Sequence, residues 1–496
     1  MRIGTNVAAI VANNALQKSQ NNLSTSIERL SSGYKINGSK DDAAGCAISE
    51  KMRAQIRGLS QAQNNTADGV SVLNTAEGAI TEIQSMLTRL KELSVQAAND
   101  VNADDEREAI QKEIEQINNE IDRISDQTEF NTQSLINGNL SRRVYSDLQG
   151  VNQLSVSDSY TAGVYGITVT EDARQAIAVG AGSITMSSTA SITEEQAGAI
   201  NINGYKISIS EGDTLDKVMG KIIDGVNITG GSAFTVKDLN NDTVANGTDY
   251  AGYVPTADYA GSTLVIMTNQ YGSDQKMNIT CDNAELADIL GIPQAATQDG
   301  IYVEGSDVKA EIATGDDGKR IGFADSAILS TKGTVITVTD VNNKEFSMDV
   351  PGNAAGTVFD DSNNDGQSAA GAGTARTISQ EVTDVGTMSI HVGANQDQVI
   401  VIDIPAITTY SLGTEHMNVM TQYTASRAIS TVDEAINKTN KIRSRIGAYE
   451  NRFDHTTNNL EVSSENLTKS LSTMIDTDMS EEMTTYTSET VLTQAA

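Results

Sequence analysis

The sequence predicts an α+β multidomain protein. Both termini form a long α-helical coiled-coil rod, and a mainly β outer region is inserted between them. Three observations carry that prediction. All four prolines (Pro255, Pro293, Pro351, Pro405) and 31 of the 40 glycines fall between residues 141 and 415. Proline and glycine disfavour a helix interior by about 3 and about 1 kcal/mol per site, so the ends read as helical and the middle as turn-rich. Apolar residues near both ends recur at alternating steps of three and four. Of the formal charge of -32, the segment 141–415 carries -22, from 36 acidic and 14 basic residues, which marks it as the most solvated part.

The elements follow in chain order. At the N-terminus Ile3, Val7, Ile10, Leu16, Leu23, Ile27 and Leu30 make an apolar stripe, opposed by an uncharged polar face that includes Asn6, Asn13, Asn14, Gln17, Gln20, Asn21 and Asn22. Each large apolar side chain gains about 1.5 to 3 kcal/mol on burial, but only against a partner helix. A terminal helix must find that partner in the other terminus or in another subunit. Asp41 and Asp42, after a turn around Gly38, start a helix read from Ala43 to Asn99, with Leu73, Ala76, Ile80, Ile83, Leu87 and Leu90 in heptad spacing. At 1.5 Å per residue it extends about 85 Å. Asp105 before Glu108 is read as the cap of a further helix whose stripe is Ile110, Ile114, Ile117, Ile121 and Ile124.

The middle reads as strands. Residues 333–339, 262–267 and 398–404 are β-rich, and the clusters at 240–242 and 363–366 are turns. Ile200 to Tyr205 reads as a hairpin feeding a short helix near Thr214. In the C-terminal part Ile446, Tyr449, Phe453, Leu460, Leu467, Leu471 and Met474 restore the helical register, with Thr456 and Ser463 as polar interruptions.

Composition excludes several function classes. The chain has 496 residues, room for roughly three or four domains. Its strongly acidic balance repels nucleic acid and anionic membranes alike. No run approaches the roughly 18 to 20 apolar residues of a membrane span, and the first residues lack the pattern of a cleavable secretory signal. Two cysteines, Cys46 and Cys281, are too few for a disulfide framework. The three histidines are isolated, and the phosphate-binding glycine motifs are missing. Cys46, in an alanine- and glycine-rich segment, reads as a small buried residue rather than a nucleophile. Asp361 to Gly366 mimics half of a calcium loop, but its twelfth position is Ala372 instead of Glu. The expectation is a protein that is not an enzyme and holds no metal or cofactor.

The ends carry a resemblance. Ser31-Ser32-Gly33-Tyr34-Lys35-Ile36-Asn37, Lys40-Asp41-Asp42-Ala43-Ala44-Gly45, Asn74-Thr75-Ala76-Glu77-Gly78-Ala79-Ile80 and the run from Arg89 to Asn99 closely resemble bacterial flagellin. So do Asn440 to Ala448, Asp476-Thr477-Asp478-Met479 and the segment His391 to Asn395. The resemblance covers about 1–140 and 387–496; the insert looks like the region that varies between members. It implies an inner N-terminal helix (1–42), a rod (43–140), a variable β-rich outer region (141–386), a rod hairpin and helix (387–459) and an inner C-terminal helix (460–496). Members of the family usually continue past Val491 to Ala496 with another amphipathic stretch, so either the inner C-terminal helix is short here or the protein continues beyond this sequence.

The resemblance further implies a subunit that leaves the cell unfolded through a type III export channel and polymerises with itself into an extracellular filament for motility. Its expected partners are hook-associated and cap proteins, a cytoplasmic export chaperone and the host's toll-like receptor 5. Arg89, Leu93 and Glu113 match the family's rod positions for receptor binding and protofilament contact, with Thr88 in place of a frequent Gln. Ile10, Leu16, Leu23, Ile27, Leu30, Leu460, Leu467 and Leu471 are the expected inner-core assembly residues. A hook–filament junction protein, or a filament subunit whose outer domain acts as an adhesin, are the alternatives.

Overall fold

The computed structural model describes residues 6–157, 160–180, 182–236, 259, 261–292, 301–315, 318–340, 344–352, 354, 359–360, 369–370, 375–383 and 385–495. The turns expected at 240–242 and 363–366, Pro255, Pro293, Ile3 and the half calcium loop therefore lie outside the described residues. The helices are α1 (Val7–Ser32), α2 (Ala43–Ala97), α3 (Asp104–Gln127), α4 (Leu215–Ile228), α5 (Ala284–Leu290), α6 (Thr409–Leu412), α7 (Gln422–Ile475) and α8 (Met479–Ala495). Two compact units result. One comprises Met1–Asn74, Ser389–Ile402 and Gly447–Ala496; the other comprises Thr75–Met388 and Asp403–Ile446.

In the first unit, α1 starts on Asn6, whose Oδ1 accepts from the Ala9 N–H at 3.2 Å, and ends on Gly33 in the left-handed region at φ 76°. The aspartates act as expected at the next start. Asp41 accepts from the amides of Asn37 and Gly38, and Asp42 accepts from Ala44. Cys46 corrects its expectation: it is only half-buried, and the inward position is Gly45, where a Cβ would lie 2.8 Å from the Ile36 side chain. The hairpin that contains residues 389–402 lies on glycines of α2. A Cβ on Gly58 would stand 3.0 Å from that of Ala394, and one on Gly69 would stand 2.7 Å from Ile390 and 3.0 Å from Phe453. Leu59, Ala62 and Leu460 close a small apolar cluster there, with Ala394 and Leu467 against it.

In the second unit the heptad residues of α2 from Ala76 to Leu90 are fully buried. The start of α3 differs from the Asp105 reading. The helix begins at Asp104 behind Ala103, whose N–H donates to the Glu106 carboxylate at 3.0 Å. Its inward face is Arg107, Ile110, Ile114, Asn118, Ile121 and Ser125, while Ile117 and Ile124 are only half-buried. Two of the buried polar side chains donate to carbonyls, Asn118 Nδ2 to that of Thr414 at 2.8 Å and Ser125 to that of Ile136 at 3.1 Å, while Asn118 Oδ1 has no partner among the described residues.

The β region has two cores. In the first, strands Ile301–Glu304, Lys276–Cys281, Gly198–Ile202 and Tyr205–Ile209 form an antiparallel sheet in that order, and a three-stranded sheet runs Ile177–Val179, Thr263–Thr268, Gly231–Val236. Helices α4 and α5 cover it through Leu215, Val218, Ile222, Leu286 and Leu290. The expected hairpin and helix are both there: Asn203 and Gly204 turn at positive φ, and the Thr214 hydroxyl caps α4. In the second core, one four-stranded antiparallel sheet (Lys309–Ile312, Gly163–Glu171, Arg376–Val382, Val144–Ser146) shares an interior with another (Ile328–Lys332, Val335–Thr339, Glu345–Asp349, Asn152–Val156). Tyr160, Tyr165, Phe323 and Phe346 fill it with ring centroids 5.1 to 6.1 Å apart, mostly edge to face.

Burial, helped by the charge of Asp340, pushes the Tyr160 phenol up to about 12. An unfolded phenol ionises near pH 10, so the folded state's advantage is complete below about pH 10 and falls as pH rises toward 12. Alkaline unfolding of this core is therefore expected to begin above about pH 10 and to become shallower in Tyr160→Phe. Identical alkaline profiles for the two proteins would contradict it.

Candidate assembly interface

The two termini meet inside one chain. α1 and α8 pack side by side and run antiparallel, since Asn22 reaches Glu489, Ser26 reaches Glu482, and Tyr34 pairs with Asp476. The join is polar. The Ser26 hydroxyl donates to Glu482 Oε1 at 2.6 Å, Arg29 stands 3.6 Å from Glu482 Oε2, and Asn22 donates to Glu489 at 3.0 Å. Beyond α1, Lys35 N–H donates to the Ile475 carbonyl at 2.6 Å, and Thr477 N–H to that of Gly33 at 3.0 Å. Gly33-Tyr34 and Asp476-Thr477 both belong to the runs that carry the resemblance; their pairing across the chain is a long-range fact that neither run contains alone. Glu482, Ser26 and Arg29 were not singled out from the sequence, because a search for apolar stripes passes over a polar contact.

The apolar stripe of α1 is left largely uncovered. Val7 is 66 %, Val11 62 %, and Ile10 and Ile27 each 50 % exposed; Leu16, Leu23 and Leu30 are half-buried. On α8, Val491 and Leu492 are exposed as well. Leu460 and Leu467 instead pack beside Leu59 of α2, and Leu471 is half-buried near the end of α7. Such exposed branched side chains offer apolar area to be removed from water by a partner.

In the other unit, Arg89 and Glu113 come together. The guanidinium donates through Nε at 3.0 Å and Nη2 at 2.8 Å to Glu113 Oε1, and through Nη1 at 3.1 Å to Glu92. The Glu113 carboxylate, followed by Glu92, holds the guanidinium pKa above its usual value. This exposed ion cluster joins α2 to α3. Leu93 is oriented differently from its two companions: it is 1 % exposed and belongs to the core of the unit.

Paired terminal helices around a β insert define a structural, coiled-coil type of protein, and among the described residues no helix is long and apolar enough to cross a membrane. The family profile described as the bacterial flagellin N-terminal helical region matches residues 3–141, and that of the bacterial flagellin C-terminal helical region matches 429–496. The chain is 30% identical to the flagellin of Salmonella typhimurium, across 99% of this chain and 95% of that protein. It is 28% identical to the flagellin of Clostridium tyrobutyricum (98% and 95% covered) and 28% identical to polar flagellin A of Vibrio parahaemolyticus (100% and 94% covered). The chain belongs to the bacterial flagellin family, a family of structural proteins that form the extracellular flagellar filament. Helical termini around a mainly β insert are what the sequence predicted for it.

Proposed function

We propose that this filament subunit polymerises by coupled folding and association of its terminal helices. The observation that carries the reading is the exposure of Val7, Ile10, Val11 and Ile27 on a helix whose buried contacts with α8 include the polar group of Ser26, Arg29 and Glu482. A helix held that way opens locally at small cost in the monomer, and its apolar side chains gain their burial energy only from neighbouring subunits. Export of an unfolded chain, with a cytoplasmic chaperone covering the same C-terminal helices, fits this thermodynamic design. Hook-associated and cap proteins, as the ends of such a polymer, would meet the same stripe. Electron micrographs after salt-induced assembly are expected to contain long tubes of uniform width; a solution of single molecules at high concentration would overturn the proposal.

The same reading gives Arg89 and Glu113 two uses, contact between protofilaments and recognition by toll-like receptor 5 on free subunits. Their exposure and their fixed mutual geometry support it, and buried Leu93 would act from beneath by holding α2 in place. Arg89→Ala is expected to weaken both receptor signalling and polymerisation, by about tenfold each, because it removes one charge-assisted hydrogen-bond set at the contact. Signalling and assembly both unchanged in that variant would contradict the assignment.

A further inference from the structure

A cleft of about 620 Å³ lies within the second unit, apart from the terminal helices and from Arg89. Its walls come from the α2–α3 junction (Asp100, Asp104, Arg107), the hairpin turn at Asn203 and Gly204 with Tyr205, the strands bearing Lys276, Asn278 and Tyr302, and the start of α7 with Gln422 and Tyr423. We propose that this cleft binds a neutral saccharide of about two rings.

Three features point to that chemistry. The size falls in the range of small-molecule sites, roughly 300 to 1,000 Å³, and the position between elements of different origin is where such sites occur. Three tyrosines line one space in a chain that is only 4% aromatic. Tyr302 is 50% exposed, with Lys276 over one face of its ring and its hydroxyl donating to Glu304, and Tyr205 and Tyr423 are half-buried, so the three leave part of their ring surface open. Sugar rings present one apolar C–H face and a rim of hydroxyls, which suits aromatic surface bordered by the amides of Asn278 and Gln422 and the carboxylates of Asp100 and Asp104.

Charge narrows the class. The lining's formal charges cancel, with Asp100 and Asp104 against Arg107 and Lys276. Both cations are already engaged. Lys276 Nζ stands 2.8 Å from Glu304 and 5.6 Å from the centre of the Tyr302 ring, while Arg107 donates to the Ala97 and Asn99 carbonyls at 3.2 and 3.3 Å. Among the described residues of the lining no unpaired cation remains to recognise an anionic ligand, and the field of a chain with net charge -32 repels one.

The walls are also held in place. Asn203 is buried in its turn, donates to the Lys276 carbonyl at 3.1 Å, and accepts from the Asn278 N–H at 2.8 Å. The start of α7 is fixed by reciprocal bonds at 3.1 Å between Thr421 and Thr424. A cleft organised before binding loses less to ordering when it closes on a ligand.

The test uses the full chain as monomer, with lactose, maltose and N,N′-diacetylchitobiose as probes and 3′-sialyllactose as the charged comparator. Saturation-transfer NMR is expected to show contact with at least one neutral disaccharide. Its affinity should fall at least tenfold in Tyr302→Ala and in Tyr423→Ala, and stay unchanged in Tyr145→Ala, an exposed tyrosine outside the cleft. The proposal is overturned by no transfer to any neutral probe, by equal binding in the cleft variants, or by tighter binding of the sialylated sugar. Polymerisation of Tyr302→Ala, measured alongside, separates failure here from failure of the assembly reading.

Discussion

Removal of residues 1–40 is expected to abolish filament formation while α2, α3 and α7 stay folded. The deletion takes away Val7, Ile10, Val11 and Ile27, the exposed stripe of α1, and ends before α2 begins at Ala43. Four such side chains, at about 1.5 kcal/mol or more each, amount to about 6 kcal/mol per subunit in the polymer, a loss of about four orders of magnitude in association. The remaining helices keep a core of their own, in which the heptad residues from Ala76 to Leu90 are fully buried. Circular dichroism should therefore retain most of the helical signal, while sedimentation finds the variant in the supernatant where the intact chain pellets. A truncated chain that pellets like the intact one contradicts the mechanism.

Phe346→Ala should destabilise the second β core by about 3 to 5 kcal/mol, the usual cost of truncating a buried aromatic. Phe346 is 1% exposed and stands 5.7 Å from Phe323, 6.0 Å from Tyr160 and 6.1 Å from Tyr165 between ring centres. Removing it takes one ring from a cluster of four and leaves a cavity between two sheets. Calorimetry is expected to show the transition of this region lowered by about 10 °C, with assembly at low temperature unaffected. A transition that does not move would mean that the aromatic cluster is not what holds the sheets together.

Much of this architecture was legible in the sequence for local reasons. Heptad spacing in α2, the turn residues Asn203 and Gly204, and the aspartates before Ala43 each act on their neighbours in the chain. Errors arose where geometry accumulates over distance. The stripe expected on α3 has a strict heptad period, whereas the buried face advances 18 steps from Arg107 to Ser125 in five turns, the period of a straight helix. That drift brings Asn118 and Ser125 inward in place of Ile117 and Ile124. Arg89 and Leu93 stand one turn apart on α2, and the roughly 40° between them leaves the first at the surface and the second at the edge of the core. The pairing of Ser26 and Arg29 with Glu482 joins residues more than 450 positions apart, and no local pattern encodes it.

The central claim is that α1 gains its cover from other copies of the chain. Hydrogen–deuterium exchange of the amides of residues 7–32, compared between dilute monomer and pelleted polymer, tests it most directly. Fast exchange in the monomer, slowed by at least a hundredfold in the polymer, is the predicted result. Equal and strong protection in both states would show that the helix is already secured by its own chain, and would contradict the account.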